Sequence, residues 1–250
     1  METTPLKLGR AGNFSSSNAW KLMTYSKDKK GFGAPALKYI KQVNYERKLG
    51  REIKPEVDAK PTSWGRMGEQ FVFGKKLGLE YKMVNSDRLY HPTLPLTGAP
   101  DYIKEVTVCD CKSPYSIEVF CDKVLALQDV GTYKEEFPED YWQHISNSIL
   151  LNANGYNISE FEAIIFCPFK EDLETIRNMA SSAGELGEYA KWIYFATDDQ
   201  LPYLIKGGHY ESVNVFKYPI FSRDVEMFKE RVEQAGQLLN PWPKQISATV

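Results

Sequence analysis

Two aspartates and a lysine stand close together in this chain, in an order that could hold a cation and use it. Asp101 follows Gly98-Ala99-Pro100, and after eight further residues comes Asp110-Cys111-Lys112. Residues i and i+2 of a strand point to the same face, so Asp110 and Lys112 project together. A tight hairpin would carry Asp101 beside them from the preceding strand. Two carboxylates from adjacent strands make a hard-oxygen site suited to Mg²⁺ or Mn²⁺. A lysine next to it could orient or deprotonate a water, or stabilise charge developing on a phosphate. The same three residues would equally make a surface ion pair on a strand. Spacing alone leaves both readings open.

A third carboxylate, Glu69, lies in Ser63-Trp64-Gly65-Arg66-Met67-Gly68-Glu69-Gln70. Two glycines inside an apparent helix cost about 1 kcal/mol each. Such a cost points to close approach of another backbone or of a ligand, and tight helix packing with an exposed Glu69 explains it as well.

Other chemistry-bearing residues form no such pattern. Cys109 and Cys111 flank Asp110 and should point to the opposite face, into the core. With Cys121 and Cys167 they miss the usual C-x₂-C spacing, so reduced, buried thiols are expected and no iron–sulfur cluster. His91, His144 and His209 are scattered and show no zinc or triad context. No phosphate-cradling or dinucleotide glycine motif is present, which argues against ATP hydrolysis and nicotinamide chemistry.

The elements that must position these residues follow from periodicity. Helices are expected from Ser15 to Met23, from Ala34 to Leu49 with Gly50 closing it, and from Lys60 to Leu77 with Gly78 as the stop. Short strands are expected at Tyr81–Val84, Arg88–His91, Gly98–Lys104 and Val106–Lys112. Helices return at Ile117–Leu127 and Tyr141–Asn154, the latter after the acidic start Glu135–Asp140. A strand at Phe161–Phe166, a helix near Glu171–Ala180, strands near Trp192–Ala196 and Ser212–Tyr218, and a helix at Arg223–Leu239 complete the chain. That order is mixed α/β around one sheet.

With 250 residues, 42% hydrophobic and 26% charged, the chain has the composition of a globular protein and not of a disordered or collagen-like one. No apolar run approaches a membrane span, and Met1–Pro5 shows no signal-peptide pattern. An intracellular, reducing setting is expected. One domain is read over residues 1–250. Its basic helical part, residues 1–60, carries 13 Lys+Arg against 6 Asp+Glu, a net of +7. The core, residues 61–169, carries 9 against 15, a net of −6, and the elaboration, residues 170–250, carries 9 against 12, a net of −3. A basic arm beside an acidic centre suits phosphate binding in one part and metal binding in another.

Five pieces in order now carry a resemblance: Arg10-Ala11-Gly12-Asn13-Phe14-Ser15-Ser16-Ser17, Trp64-Gly65 with Glu69, Pro100-Asp101, Asp110-Cys111-Lys112-Ser113-Pro114, and Tyr141-Trp142-Gln143. The set resembles the PD-(D/E)XK nucleases, and within them the phage lambda exonuclease / YqaJ-type viral recombinase family. It runs from about Arg10 to Phe169. The resemblance implies a restriction-endonuclease-like core, a mixed central sheet flanked by helices, with helices before it and an elaboration after it. It implies that Asp101 and Asp110 ligate the metal, that Lys112 positions the water, and that Glu69 and Gln143 complete the catalytic set. Arg10 and Ser17 would match a pocket for a terminal 5′-phosphate. Two departures stand out: Asp110 occupies a position that is usually Glu, and His144-Ile145-Ser146-Asn147 lacks the Gln or Tyr often found after Gln143.

The function expected on this resemblance is Mg²⁺-dependent (or Mn²⁺-dependent) exonucleolytic degradation of duplex DNA, 5′ to 3′, in phage-type recombination. It further implies a trimeric ring, a single-strand annealing protein as partner, and the cytoplasm of a bacterial host. An endonuclease or single-strand nuclease would use the same residues. A non-catalytic nucleic-acid-binding module would not need them, since carboxylates beside phosphate oppose binding.

Overall fold

The computed structural model describes residues 10–53, 60–84, 88–182 and 184–241. The reading of Met1–Pro5 lies outside them, as do the outer ends of the basic arm and of the carboxy-terminal elaboration.

The chain enters through β1 (Phe14–Ser15), a short α1 (Ser16–Ala19) that tightens into a 3₁₀ turn (Trp20–Met23), and α2 (Ala34–Leu49). Gly50 ends α2 with φ of 65°, the left-handed cap that its position suggested. Next come α3 (Lys60–Phe71), widened into a π turn (Val72–Lys76), and five short strands: β2 (Lys82–Met83), β3 (Leu89–Tyr90), β4 (Leu96–Gly98), β5 (Tyr102–Lys104) and β6 (Thr107–Lys112). Three helices, α4 (Ile117–Ala126), α5 (Val130–Glu136) and α6 (Pro138–Ala153), connect β6 to its parallel neighbour β7 (Glu160–Phe166). Then follow α7 (Leu173–Ser182), α8 (Gly184–Phe195), β8 (Val213–Pro219) and α9 (Ser222–Gln237).

The strands make two sheets. The larger has the order β2-β5-β6-β7-β8 and is mixed, with β6 and β7 parallel and the other pairs antiparallel. The smaller has the order β1-β4-β3. A single strand over Gly98–Lys104 is therefore corrected to two, one in each sheet. Pro100 has no N–H to give a ladder and sits at the break.

Helices cover both faces of the large sheet. One core packs Val108, Phe161, Ala163 and Ile165 against α6, α9, α2 and α4, through residues such as Ile145, Phe228, Val43 and Phe120. The other packs Cys109, Cys111, Ile164 and Phe166 against α3, α7 and α8, through Trp64, Phe71, Ile176 and Ile193. Side chains of β6 thus alternate between two cores, as a period of two requires. Because β7 is buried on both faces, it is mostly apolar, with Ala163–Phe166 as a continuous run, and its one buried charge, Glu162, accepts a hydrogen bond from the Tyr81 hydroxyl at 2.8 Å.

Two expectations are corrected. Trp192–Ala196 is rich in β-formers yet ends a helix, α8. Ala190, Ile193 and Ala196 are buried at three-residue spacing, and packing of that stripe overrides local propensity. Before α6 lies a helix that periodicity did not reveal, α5. Its N-cap Asp129 accepts a hydrogen bond from the Thr132 N–H at 2.8 Å.

Candidate active site

Register brings the two aspartates together. In the β5–β6 hairpin Tyr102 pairs with Cys109 and Lys104 with Thr107, so one step further along the ladder Asp101 faces Asp110. Asp110 is buried, at 3% exposure, and Lys112 lies two residues on along the same face. The Lys112 Nζ stands 2.8 Å from Asp110 Oδ2.

Gln143 arrives from α6. Between Asp140 and Leu151 every residue of that helix is buried except Gln143, which faces the end of β6. Its Oε1 accepts a hydrogen bond from Lys112 Nζ at 3.0 Å, and its Nε2 donates to Asp110 Oδ1 at 3.4 Å. The Gln143 of Tyr141-Trp142-Gln143 thus lies in hydrogen-bonding contact with both Asp110 and Lys112 of β6.

Glu69 comes from α3. Gly68 lets this helix approach the chain just after β6. A Cβ at position 68 would lie 2.3 Å from Ser113 Oγ and 3.2 Å from the Phe166 ring. Gly65 has only the Ser113 carbonyl near it, at 4.0 Å, so close approach explains Gly68 and not Gly65.

The electrostatics identify one negative cluster. Burial pushes the Glu69 carboxyl up to about 8, helped by the charges of Asp101 and Asp110 and opposed by Lys112 and Arg66. Burial also raises Asp101, to about 6, with Asp110 adding to it and Lys112 opposing. For Lys112 burial works against the charge, but Asp110 and Asp140 outweigh it and hold the ammonium above its ordinary value. Glu69 and Asp101 are both raised beside Asp110, around a single close lysine, so the site is short of positive charge.

A divalent cation fits that shortage. Among the described residues no three Asp, Glu, His or Cys side chains converge closely enough to cage an ion alone. Mg²⁺ does not require such a cage, since it commonly binds one or two carboxylates and keeps water or phosphate oxygens as its other ligands. Asp101 and Asp110 are the two carboxylates that could hold such an ion here.

Beside Lys112 opens a groove of about 480 Å³, lined by Pro61, Lys112, Pro114, Tyr115, Val119 and Lys123 among others. A second depression, at Lys170, Arg177 and Asp198, includes none of the site residues.

Arg10 and Ser17 stand apart from this centre. The Arg10 guanidinium pairs with Glu52, at 2.8 Å from Nη2 and 3.0 Å from Nε to the same oxygen. Ser17 is exposed, with its Oγ 3.4 Å from Ser15 Oγ. Among the described residues no hydrogen bond or ion pair joins Arg10 or Ser17 to the other, or to the carboxylates. They share a neighbourhood through Tyr39, whose hydroxyl accepts from the Ser15 N–H at 2.8 Å and which feels the Arg10 charge.

Sequence reasoning missed Asp140 and Lys123. Asp140 Oδ1 lies 3.8 Å from Lys112 Nζ, and its Oδ2 accepts from Lys123 Nζ. Asp140 precedes Gln143 by three residues on α6, a helical spacing that could have marked it. Nothing in the local pattern marks Lys123. The four cysteines are unpaired, and Cys109 and Cys111 lie on the core face of β6, away from Asp110.

No protein-family model matches the sequence, and no curated protein matches it either. Solved structures do match in shape. The alkaline exonuclease LHK-Exo from Laribacter hongkongensis superposes with a TM-score of 0.56 at 11% identity, over 92% of this chain and 89% of that one. The same enzyme in complex with dAMP gives 0.56 and 11%, over 92% and 90%. A phage-related exonuclease from Haemophilus somnus 129PT gives 0.54 at 13% identity, over 90% of this chain and 92% of that one. The chain shares the fold of these exonucleases. Among the described residues no helix is long and apolar enough to cross a membrane.

Proposed function

We propose that this protein is a divalent-cation-dependent DNA exonuclease. One observation carries the reading: Asp101, Asp110, Lys112 and Gln143 meet at the end of β6 with Glu69 alongside, on a fold shared with exonucleases. The dAMP bound to one of those neighbours is a deoxynucleoside monophosphate, the kind of product that end-directed hydrolysis releases.

Asp101 and Asp110 would hold Mg²⁺ or Mn²⁺. When bound, the cation supplies positive charge against the charge developing on a phosphate and makes nearby water more acidic. The chain's own residues do the rest. Lys112, kept protonated between Asp110 and Asp140, donates from Nζ and does not act as a base. It orients a water or stabilises a phosphate oxygen. Gln143 fixes Lys112 and Asp110 relative to each other through its two amide atoms. Glu69 adds a carboxylate whose proton affinity depends on what occupies the site.

Duplex ends as substrate, 5′ to 3′ polarity, a 5′-phosphate pocket at Arg10 and Ser17, a trimeric ring, a single-strand annealing partner and a recombination role belong to the same proposal. The basic residues 1–60 support the DNA side of it. The second reading is an endonuclease or single-strand nuclease with the same centre, favoured by the engagement of Arg10 with Glu52.

A linear duplex labelled at either end, incubated with Mg²⁺ or EDTA and sized over time, separates these. Stepwise loss of the 5′ label in Mg²⁺ alone is expected. Internal cuts would give the second reading, and no cleavage under any cation would overturn both.

A further inference from the structure

We infer that Asp140 is a positioning residue for Lys112, pinned in place by Lys123; the inference rests on the nuclease reading and deepens it. Both residues are buried, at 6% and 8% exposure. Asp140 lies in the first turn of α6 and reaches Lys112 with Oδ1 and Lys123 with Oδ2. Lys123 comes from α4, and its Nζ also lies 4.2 Å from the centre of the Phe137 ring. Three elements, β6, α4 and α6, are tied at this one carboxylate.

Stability alone gives little reason for such a pair. Replacing a buried ion pair with apolar residues of similar volume is often neutral or stabilising, because both charges lose their hydration. What the pair does offer is a fixed anion beside a lysine with four rotatable bonds. Of the contacts to Lys112, Asp110 belongs to the proposed cation site, and a cation there would compete for that carboxylate and repel the ammonium. Gln143 is neutral. Asp140 is the anion that remains for Lys112, and its bond to Lys123 stops it from turning towards a cation itself. Lys112 therefore keeps its aim when the site is loaded.

The test combines kinetics with a metal-free measurement. Asp140→Asn should lower kcat roughly 10- to 100-fold while KM for DNA is unchanged. On a Lys112→Gln background the same substitution should cost nothing further, because its effect passes through Lys112. Asp140→Asn leaves Lys123 buried and unpaired, so Asp140→Leu with Lys123→Met, which removes both charges, is measured alongside. That double variant should fold and show the same fall in kcat. In the metal-free protein, the ε-methylene NMR signal of Lys112, identified by its loss in Lys112→Gln, should shift in Asp140→Asn. Normal kcat in the folded double variant, an equal loss on the Lys112→Gln background, or an unmoved Lys112 signal would overturn the inference. A wild-type protein that cleaves no DNA would defeat the nuclease reading instead, and the NMR result would still decide whether Asp140 holds Lys112.

Discussion

Gly68 and Ser113 are in such close contact that a Cβ on residue 68 would sit 2.5 Å from the Ser113 Cβ. Neither atom is the free end of a flexible side chain, so the backbone of α3 or of the segment after β6 would have to move. Gly68→Ala should lower stability by about 1–3 kcal/mol, the usual cost of overpacking. It should also reduce activity, because Glu69 follows on the same helix. Ser113→Gly in the same protein should restore part of both. Chemical denaturation and initial cleavage rates check this; full stability in Gly68→Ala would mean that the contact is loose.

The carboxylates and Lys112 should separate catalysis from binding. Asp101→Asn or Asp110→Asn should reduce Mg²⁺-dependent cleavage on the order of 10³-fold, while DNA affinity holds or rises as a charge near phosphate disappears. Lys112→Ala should show a comparable loss and leave cation affinity nearly intact, since a protonated lysine is no ligand. Calorimetric Mg²⁺ titration beside single-turnover rates reads both quantities. Near-normal turnover in either Asn variant would remove that aspartate from the site.

His144 gives a pH signature of folding. It is 1% exposed, and its ring stacks on Phe161 at 4.5 Å between centroids, with the Tyr133 hydroxyl 3.5 Å from Nε2. Burial pushes its pKa down to about 4; Lys112 and Lys123 add to the fall, and Asp110 and Asp140 oppose it. The native state thus refuses a proton that the unfolded chain accepts near pH 6.5. His144 therefore contributes a loss of stability as pH drops from about 6.5 to about 4, on the order of 3 kcal/mol, while Glu69 and Asp101, raised in the folded state, contribute with the opposite sign over that range. Asp140, whose carboxyl is held below its ordinary value because Lys112 and Lys123 outweigh burial, loses its contribution only at lower pH. Relative to His144→Gln, whose profile keeps the Glu69 and Asp101 contributions, the wild type should lose urea midpoint across that range. An identical slope in both proteins would assign it to other groups.

End recognition makes a prediction of its own. A guanidinium presents a fork of donors to a terminal phosphate, and here Glu52 holds that fork. Duplexes with a 5′-phosphate should be degraded faster than those with a 5′-hydroxyl, and Arg10→Ala or Ser17→Ala should shrink the difference. Glu52→Gln, which frees Arg10, should widen it. Equal rates at both kinds of end in the wild type would take Arg10 and Ser17 out of the reaction.

A chain of net charge −2 needs a local basic lining or a ring to stay on DNA. A trimer is expected in solution, with long tracts degraded per binding event and both properties weakening as salt rises. Closed rings join two different faces, and apolar residues exposed after residue 170, such as Phe195 at 75% and Ile205 at 64%, are candidates for one of them. Phe195→Asp should shift sedimentation towards monomer. A wild-type monomer that releases short tracts under a DNA trap would reject the ring.

The sequence by itself determined what is local. A period of two put Asp110 and Lys112 on one face of β6 and Cys109 and Cys111 on the other, and the structure keeps that division between two cores. Most of the order of helices and strands was legible for the same reason; α5, the division of Gly98–Lys104 between two sheets and the helical Trp192–Phe195 in α8 were not. Tertiary structure alone decided how the pieces meet. Gln143 reaches Asp110 across 33 residues and Glu69 joins the cluster from α3, because α6 and α3 cross the end of one strand. Lys123 enters only there, since a charge buried far along the chain leaves no periodic trace; Asp140 keeps helical spacing with Gln143, but its contacts with Lys112 and Lys123 exist only in the fold. Pairing of Arg10 with Glu52, 42 residues away, was equally invisible. Proton affinities belong to the same class: the rise of Glu69 to about 8 comes from burial and from its neighbours' charges, which exist only once the chain has folded.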